Sequence, residues 1–311
     1  MKKIPEIAMG AWAWGNDGTF GNEHSESQLR EVFDTAMANG LYLWDTAFVY
    51  GMGRAETILS DFLSDLPEGS YILSDKFTPR AADLTSETPL RDMIEQQLRR
   101  MKRDMFDIYW IHNASDAPRW TRELAEYLEG KQRVPMIGVS NHDLEEIREA
   151  ESILEEHGLR LSAVQNHYSL INRFSEESGV LEYCRANGLL FFSYMVLEQG
   201  ALSGKYDTLH PMPEGSARGE VYNPLLGELE PLNALLKKIA VDHKASPAQV
   251  PIAWAIAKGT IPIIGVTRPS HAEEAAAARN IVLSQKELAE LEDLAGSLRF
   301  DVNRFWERQM R

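Results

Sequence analysis

Short apolar runs alternate with longer amphipathic segments from one end of the chain to the other. The runs are 7–12, 41–46, 71–76, 106–112, 134–140, 163–165, 189–194 and 261–265. Their apolar positions are dense rather than strictly alternating, the pattern of strands buried on both faces. Between them, apolar residues recur at helical spacing, as in Leu29, Val32, Phe33 and Ala36, or Leu90, Met93, Ile94, Leu98 and Met101. Ser25 with Gln28, Asp143, Ser246 with Pro247, and Ser284 with Glu287 read as helix starts, and Gly40 as a stop. Pro251 lies early in its helix and is expected to distort it. Eight strand-then-helix units predict a parallel (β/α)8 TIM barrel, a single domain over 1–311. A doubly wound open sheet is the competing topology. It carries a glycine-rich turn after its first strand, and the GNDGTFGN found there lacks the GxGxxG spacing. The stretch 204–229, with Pro211, Pro213 and Pro224, is expected to be an irregular functional loop over a site. Residues 296–311 form a tail.

Composition narrows the partners. The chain has 311 residues, is 44% hydrophobic and carries a formal net charge of −15. Such a surface repels phosphate backbones and anionic lipids, so neither nucleic acid nor a membrane is expected as a partner. The one cysteine, Cys184, permits no intrachain disulfide and no CxxC metal site. The opening MKKIPEIAMG is not read as a signal peptide, and a cytoplasmic location is the expectation. Oligomeric state is left open. GALSGKY lacks the spacing and the hydroxyl of a phosphate loop, GVSNH lacks the second glycine of a nucleophile elbow, and HExxH does not occur. Asp45, His112 and His167 could meet at strand ends around a metal, but the expectation is no metal site.

Placed on the predicted strands, the polar residues form a pattern. Asp45, Lys76 and His112 end the second, third and fourth strands. Ser140 with Asn141, Gln165 with Asn166, and Tyr194 end the next three. In a parallel barrel all these ends meet at one mouth, where barrel active sites lie. Tyr50, five residues beyond Asp45, can return to that mouth. A nearby ammonium favours the phenolate, so Lys76 is expected to lower the Tyr50 pKa, with Asp45 keeping the lysine charged. A phenol placed this way is a general acid, and His112 is a second donor toward the same substrate oxygen. Protonating an oxygen while hydride reaches carbon is carbonyl reduction, and no side chain supplies hydride, so a nicotinamide cofactor is implied. Two other readings stand beside this one: a lyase or aldolase forming a Schiff base on Lys76, and a cofactor-binding barrel without catalysis.

The segments DTAFVYG, SDKF, DIYWIHNA, GVSNH, VQNHYSL, FFSYMVLEQGALSGKY and IPIIGVTRPSHAEEA occur in order over nearly the whole chain. Together they resemble the aldo-keto reductases. The resemblance implies a (β/α)8 barrel that binds extended NADPH without a Rossmann domain and reduces a small-molecule aldehyde or ketone, NADH being the possible substitute. By the same resemblance Tyr50 is the proton donor, tuned by Lys76 and Asp45, and His112 orients the carbonyl. Ser140, Asn141 and Gln165 would hold the nicotinamide carboxamide, and Tyr194 would stack on the ring. Leu197, Gly200, Ser203 and Lys205 would hold the pyrophosphate. Gly265, Thr267 and Arg268, with His271 and Glu274, would receive the adenosine end. Met195-Val196 replaces a common Ser-Pro, and His271 and Ala275 replace a frequent arginine and asparagine.

Arg218 either joins Lys205 and Arg268 as a phosphate partner or is a solvated loop residue. Trp14, Phe20, Phe48, Trp110 and the tail 300–306 are candidates for the substrate pocket, where aromatic walls suit an apolar or aromatic carbonyl compound or a sugar face.

Overall fold

The computed structural model describes residues 2–300 except 22, 68 and 299, together with 302, 304 and 307. Eight parallel strands pair in chain order and close on themselves, the last with the first. They are β1 Ala8–Gly10, β2 Leu43–Asp45, β3 Ile72–Phe77, β4 Ile108–Ile111, β5 Met136–Ser140, β6 Leu161–His167, β7 Leu190–Tyr194 and β8 Ile261–Gly265. The helices are α1 Glu26–Ala38, α2 Arg54–Leu63, α3 Pro89–Met101, α4 Ala117–Leu128, α5 Leu144–Glu156 and α6 Phe174–Glu177, then α7 Val180–Asn187, α8 Ala217–Tyr222, α9 Leu226–Asp242, α10 Gln249–Ala257, α11 Pro269–Ala278 and α12 Gln285–Ser297.

Local chemistry explains most boundaries. Ser25 with Gln28, Asp143 with Glu146 and Ser284 with Glu287 each form a reciprocal capping box, a contribution of about 1 kcal/mol apiece. Ser246 behaves differently. Its hydroxyl donates to Glu274 at 3.0 Å, and α10 starts only at Gln249. Pro251 causes no distortion, because it is the third residue of α10, where backbone N–H groups have no partner within the helix. The proline that does remove a helical donor is Pro231, inside α9. Strand β6 is two residues longer at each end than its apolar run, since the ladder with β5 and β7 bonds backbone regardless of side chain. The stretch 204–229 is not irregular throughout: it holds α8 and the start of α9.

Apolar packing lies in two shells. The larger shell sits between sheet and helices. The smaller fills the barrel interior with Ala8, Leu43, Ile72, Ile108, Trp110, Ala163, Phe192 and Ile263. Strand side chains alternate faces with period two, so the next inward position along each strand reaches the mouth. Asp45 follows Leu43, His112 follows Trp110, Gln165 follows Ala163, and Tyr194 follows Phe192. On β3 the inward series is Ile72, Ser74, Lys76. The interior plug is therefore the floor of the site above it. Among the described residues no helix is long and apolar enough to cross a membrane.

Candidate active site

Lys76 is fully buried at the end of β3. Its ammonium has three N–H donors and three acceptors: Asp45 Oδ2 at 2.5 Å, the Thr46 carbonyl at 2.7 Å and the Tyr50 hydroxyl oxygen at 3.2 Å. With the third donor spent on its oxygen, Tyr50 directs its own proton elsewhere. Asp45 is held from below by a relay. Trp110 Nε1 donates to Ser74 Oγ, which donates to Asp45 Oδ1, both at 2.7 Å, and Gln165 donates to the same oxygen at 3.3 Å. Tyr50 sits on a turn locked by close backbone approach. Gly51 has φ +68°, and a Cβ there would collide with the Gly15 carbonyl. The His112 ring stands edge-on to Tyr50 at 6.1 Å, with its Nδ1 2.7 Å from Thr78 Oγ1.

The electrostatics correct one expectation. Burial raises the Tyr50 pKa by more than Lys76 lowers it, with Asp45 adding to the rise. The phenol therefore keeps its proton at neutral pH. Burial works against the Lys76 charge, but Asp45 and Tyr50 outweigh it and hold the lysine above its ordinary value. A buried ammonium with every donor engaged is a poor amine nucleophile, which argues against the Schiff-base reading. His112 is pushed well below its ordinary value by burial, Lys76 and Arg80, so its ring is neutral.

A cleft of about 650 Å³ opens from Tyr50 and His112. Ser140, Asn141, Gln165 and Tyr194 line it beside Asp45. Leu197, Gly200, Ser203 and Lys205 line its middle. Gly265, Thr267, Arg268, His271 and Glu274 line its far end, at the N-terminus of α11. The cleft thus brings together the predicted catalytic and cofactor-binding residues apart from Lys76, which lies just behind Asp45; Asn166 and His167, also named at the strand ends, do not line it. Burial and Arg268 lower the His24 pKa, and burial, Arg268, Lys205 and His24 lower that of His271. Lys205, Arg268, His271 and His24 are therefore close enough to act on one another, and the two histidines are neutral at pH 7. Arg218 also lines the cleft and is buried, donating to the Gln199 carbonyl at 2.9 Å and to Tyr206 Oη at 3.2 Å. It is not a solvated loop residue. Among the described residues its Nε and the Gln199 Nε2 are buried without a partner.

Residues 6–295 match the model of the aldo/keto reductase family. The chain belongs to that family. Its members are enzymes of the oxidoreductase class, and this chain is one of them. It is 30% identical over 306 residues to the chloroplastic pyridoxal reductase of Arabidopsis thaliana, covering 93% of this chain and 82% of that protein. The thermostable aldo-keto reductase Tm1743, solved with the inhibitor epalrestat, superposes with a TM-score of 0.76 at 26% identity, covering 94% of this chain and 96% of that one. An aldo-keto reductase from Klebsiella pneumoniae, solved with NADPH, gives 0.71 at 25% identity, covering 94% and 91%.

Within this aldo-keto reductase the aromatic candidates are placed differently from the sequence expectation. Of the four aromatic candidates only Phe20 lines the cleft. Trp14 is fully buried against Trp44 and Phe62, its Nε1 bonded to the Val266 carbonyl at 2.8 Å. Trp110 is one inward position below the mouth and lies over Gly138, where any Cβ would enter its ring. Phe48 packs on the Arg100 guanidinium. The wall is formed instead by Trp12, stacked on Tyr50 at 5.8 Å and edge-on to Phe20 at 5.5 Å. In the tail, Phe300 packs against the core; residues 301, 303, 305 and 306 lie outside the described residues. Sequence reasoning missed Trp12, Arg80, Gln199, Tyr206 and Ser246 as lining residues. Only Trp12 carried a signal, as an aromatic just beyond the first strand.

Proposed function

We propose that this chain reduces an aldehyde or ketone to the alcohol with NADPH, Tyr50 giving the proton to the carbonyl oxygen. The observation that carries the reading is the Lys76 ammonium fixed between Asp45 and the Tyr50 oxygen. Lys76 saturates the side of that oxygen facing the protein, so the phenolic proton points into the cleft. The raised pKa keeps the phenol an acid at working pH, and Lys76 stabilises the phenolate as the proton leaves. His112 is neutral and carries one ring proton. With the Thr78 hydroxyl donating to Nδ1, that proton stands on Nε2 and is the second donor to the developing alkoxide. When bound, the nicotinamide supplies the hydride.

The residues present fit such a cofactor. Ser140, Asn141 and Gln165 offer amide and hydroxyl partners beside Tyr50. The orphaned Arg218 and Gln199 donors belong to residues that line the cleft. The Lys205 and Arg268 cations favour the 2′-phosphate of NADPH over the bare ribose of NADH, since a dianion gains most from charge-assisted donors, with the neutral His271 and His24 rings beside them. The Trp12–Phe20–Tyr50 wall suits a flat aromatic carbonyl compound. The likeness to a pyridoxal reductase adds aromatic aldehydes of that kind to the substrates worth testing.

The test is NADPH oxidation against a panel of aldehydes, ketones and sugars, with NADH in parallel. Tyr50→Phe is expected to retain NADPH binding and lose about 10²- to 10⁴-fold in turnover, the usual worth of a positioned acid. Undiminished turnover in that variant would remove Tyr50 from its role.

A further inference from the structure

His167 ends β6 one inward position beyond Gln165 and is buried. Its ring stands between two carboxylates. Nε2 lies 2.8 Å from Glu198 Oε1, and Nδ1 lies 3.1 Å from both carboxylate oxygens of Glu307, 140 residues away in sequence. The Asn172 side-chain amide is 3.0 Å from the same Nδ1. Glu198 also accepts the hydroxyls of Ser169 and Tyr222. Burial opposes the His167 charge, but Glu198 and Glu307 outweigh it and raise its pKa to about 10. The ring is therefore an imidazolium at neutral pH, with one cation shared by two anions.

Both carboxylates lead to the cleft. The single proton of the Tyr194 hydroxyl is shared between Glu307 Oε1, at 2.8 Å, and Asn141 Oδ1. Arg304 donates to Gln199 Oε1 at 2.5 Å and lies over the Tyr222 ring. The segment under these contacts is strained. Met195, Glu198 and Gln199 have φ of +61°, +46° and +53°. Non-glycine residues hold such angles only where surrounding contacts over-determine them.

We propose that Glu198, His167 and Glu307 form a buried ionic clamp that positions Tyr194 and the 195–199 segment to receive the cofactor, making Glu307 a determinant of cofactor affinity. The proposal rests on the NADPH reading above. These are positioning residues: His167 and Glu307 act through Tyr194, and Glu198 through the backbone that carries Leu197 and Gln199. The cluster ties Glu307 to β6 and β7. A binding segment held in a strained shape by remote contacts lowers the ordering cost of binding.

The full chain and its Glu307→Gln, His167→Asn and double variants are titrated with NADPH by nicotinamide fluorescence. Thermal melting, the KM for NADPH and kcat at saturating NADPH are measured alongside. Each single variant is expected to weaken NADPH binding about tenfold or more, the worth of a charge-assisted hydrogen bond. KM is expected to rise in step, with kcat changed less than about threefold on the same scale. The double variant is expected to bind no worse than the weaker single, because both cut one clamp. Arg304→Met leaves the buried charges intact and is expected to weaken binding about threefold, which serves if Glu307→Gln does not fold. NADPH affinity within about twofold of the unaltered chain overturns the proposal, even with a lower melting temperature, since the cluster would then be only structural. Failure of the unaltered chain to bind NADPH would count against the proposed function and remove the clamp with it.

Discussion

Replacing Asp45 by asparagine removes one charge and keeps the side chain's shape. The carboxylate has three donors around it: Lys76 Nζ on Oδ2, and Ser74 Oγ and Gln165 Nε2 on Oδ1. An asparagine has one acceptor oxygen, so either the ammonium or the Ser74–Gln165 pair then faces an amide N–H₂. Ser74 can turn its proton away and still accept from Trp110, so the oxygen is expected to face Lys76. The ammonium then keeps three neutral acceptors but no counter-charge, in a site with no exposure to water. Breaking a buried pair from one side costs about 3–5 kcal/mol. For 311 residues the unfolding entropy is about 0.65 kcal/mol/K, so the melting temperature should fall by about 5–8 °C. The pH dependence is the sharper signature. In the parent protein Lys76 is raised, so its contribution is complete below its unfolded pKa and lost only at more alkaline pH. In Asp45→Asn the larger of the two influences opposing burial is gone and only Tyr50 remains, so the lysine is expected to fall from its raised value. The folded chain then releases that proton at lower pH than the parent does, so relative to the parent the variant's stability is expected to gain as pH rises, by at most about 1.4 kcal/mol per unit. Differential scanning fluorimetry from pH 7 to 9 reads both effects. An unchanged melting temperature, or a variant whose stability falls with pH as steeply as the parent's, would refute the reasoning.

Other outcomes follow from particular contacts. Arg268→Ala and Lys205→Ala should each weaken NADPH by about tenfold while leaving NADH nearly unchanged, measured as KM for both cofactors; equal losses would mean that neither cation reads the 2′-phosphate. Gly138→Ala should cost about 3 kcal/mol or more of stability, because its Cβ meets the Trp110 ring on the barrel floor, and a urea midpoint equal to the parent's would contradict that packing. His167, raised to about 10 by Glu198 and Glu307 against the opposing effect of burial, contributes stability that is complete below its unfolded pKa of about 6.5 and is lost as pH rises toward 10. His167→Gln should therefore flatten the alkaline decline in urea stability, and an identical decline in the variant would place its origin elsewhere.

The barrel was legible because its signals are local. Apolar runs of strand length, helical stripes and capping boxes at Ser25, Asp143 and Ser284 each depend on neighbours within a turn or two. The candidate site was legible for a related reason: once the strands are parallel, Asp45, Lys76, His112 and Tyr194 must share one mouth. Quantities that depend on what packs around a residue were not. Trp14 and Phe20 look alike as aromatics after the first strand, yet one is core and the other lines the cleft. Arg218 reads equally well as a solvated or a buried cation until α8 is seen to turn it inward.

What the residue order determined by itself was the strand-and-helix alternation, the closure it favours, and the roster of polar groups at the strand ends. Only the folded arrangement decided that burial outweighs Lys76 at the Tyr50 hydroxyl, that Trp110 is floor rather than wall, and that Glu307 meets His167 across 140 positions. Periodicity and capping are properties of adjacent residues, whereas desolvation and ion pairing depend on the distance between groups the chain keeps far apart until it folds.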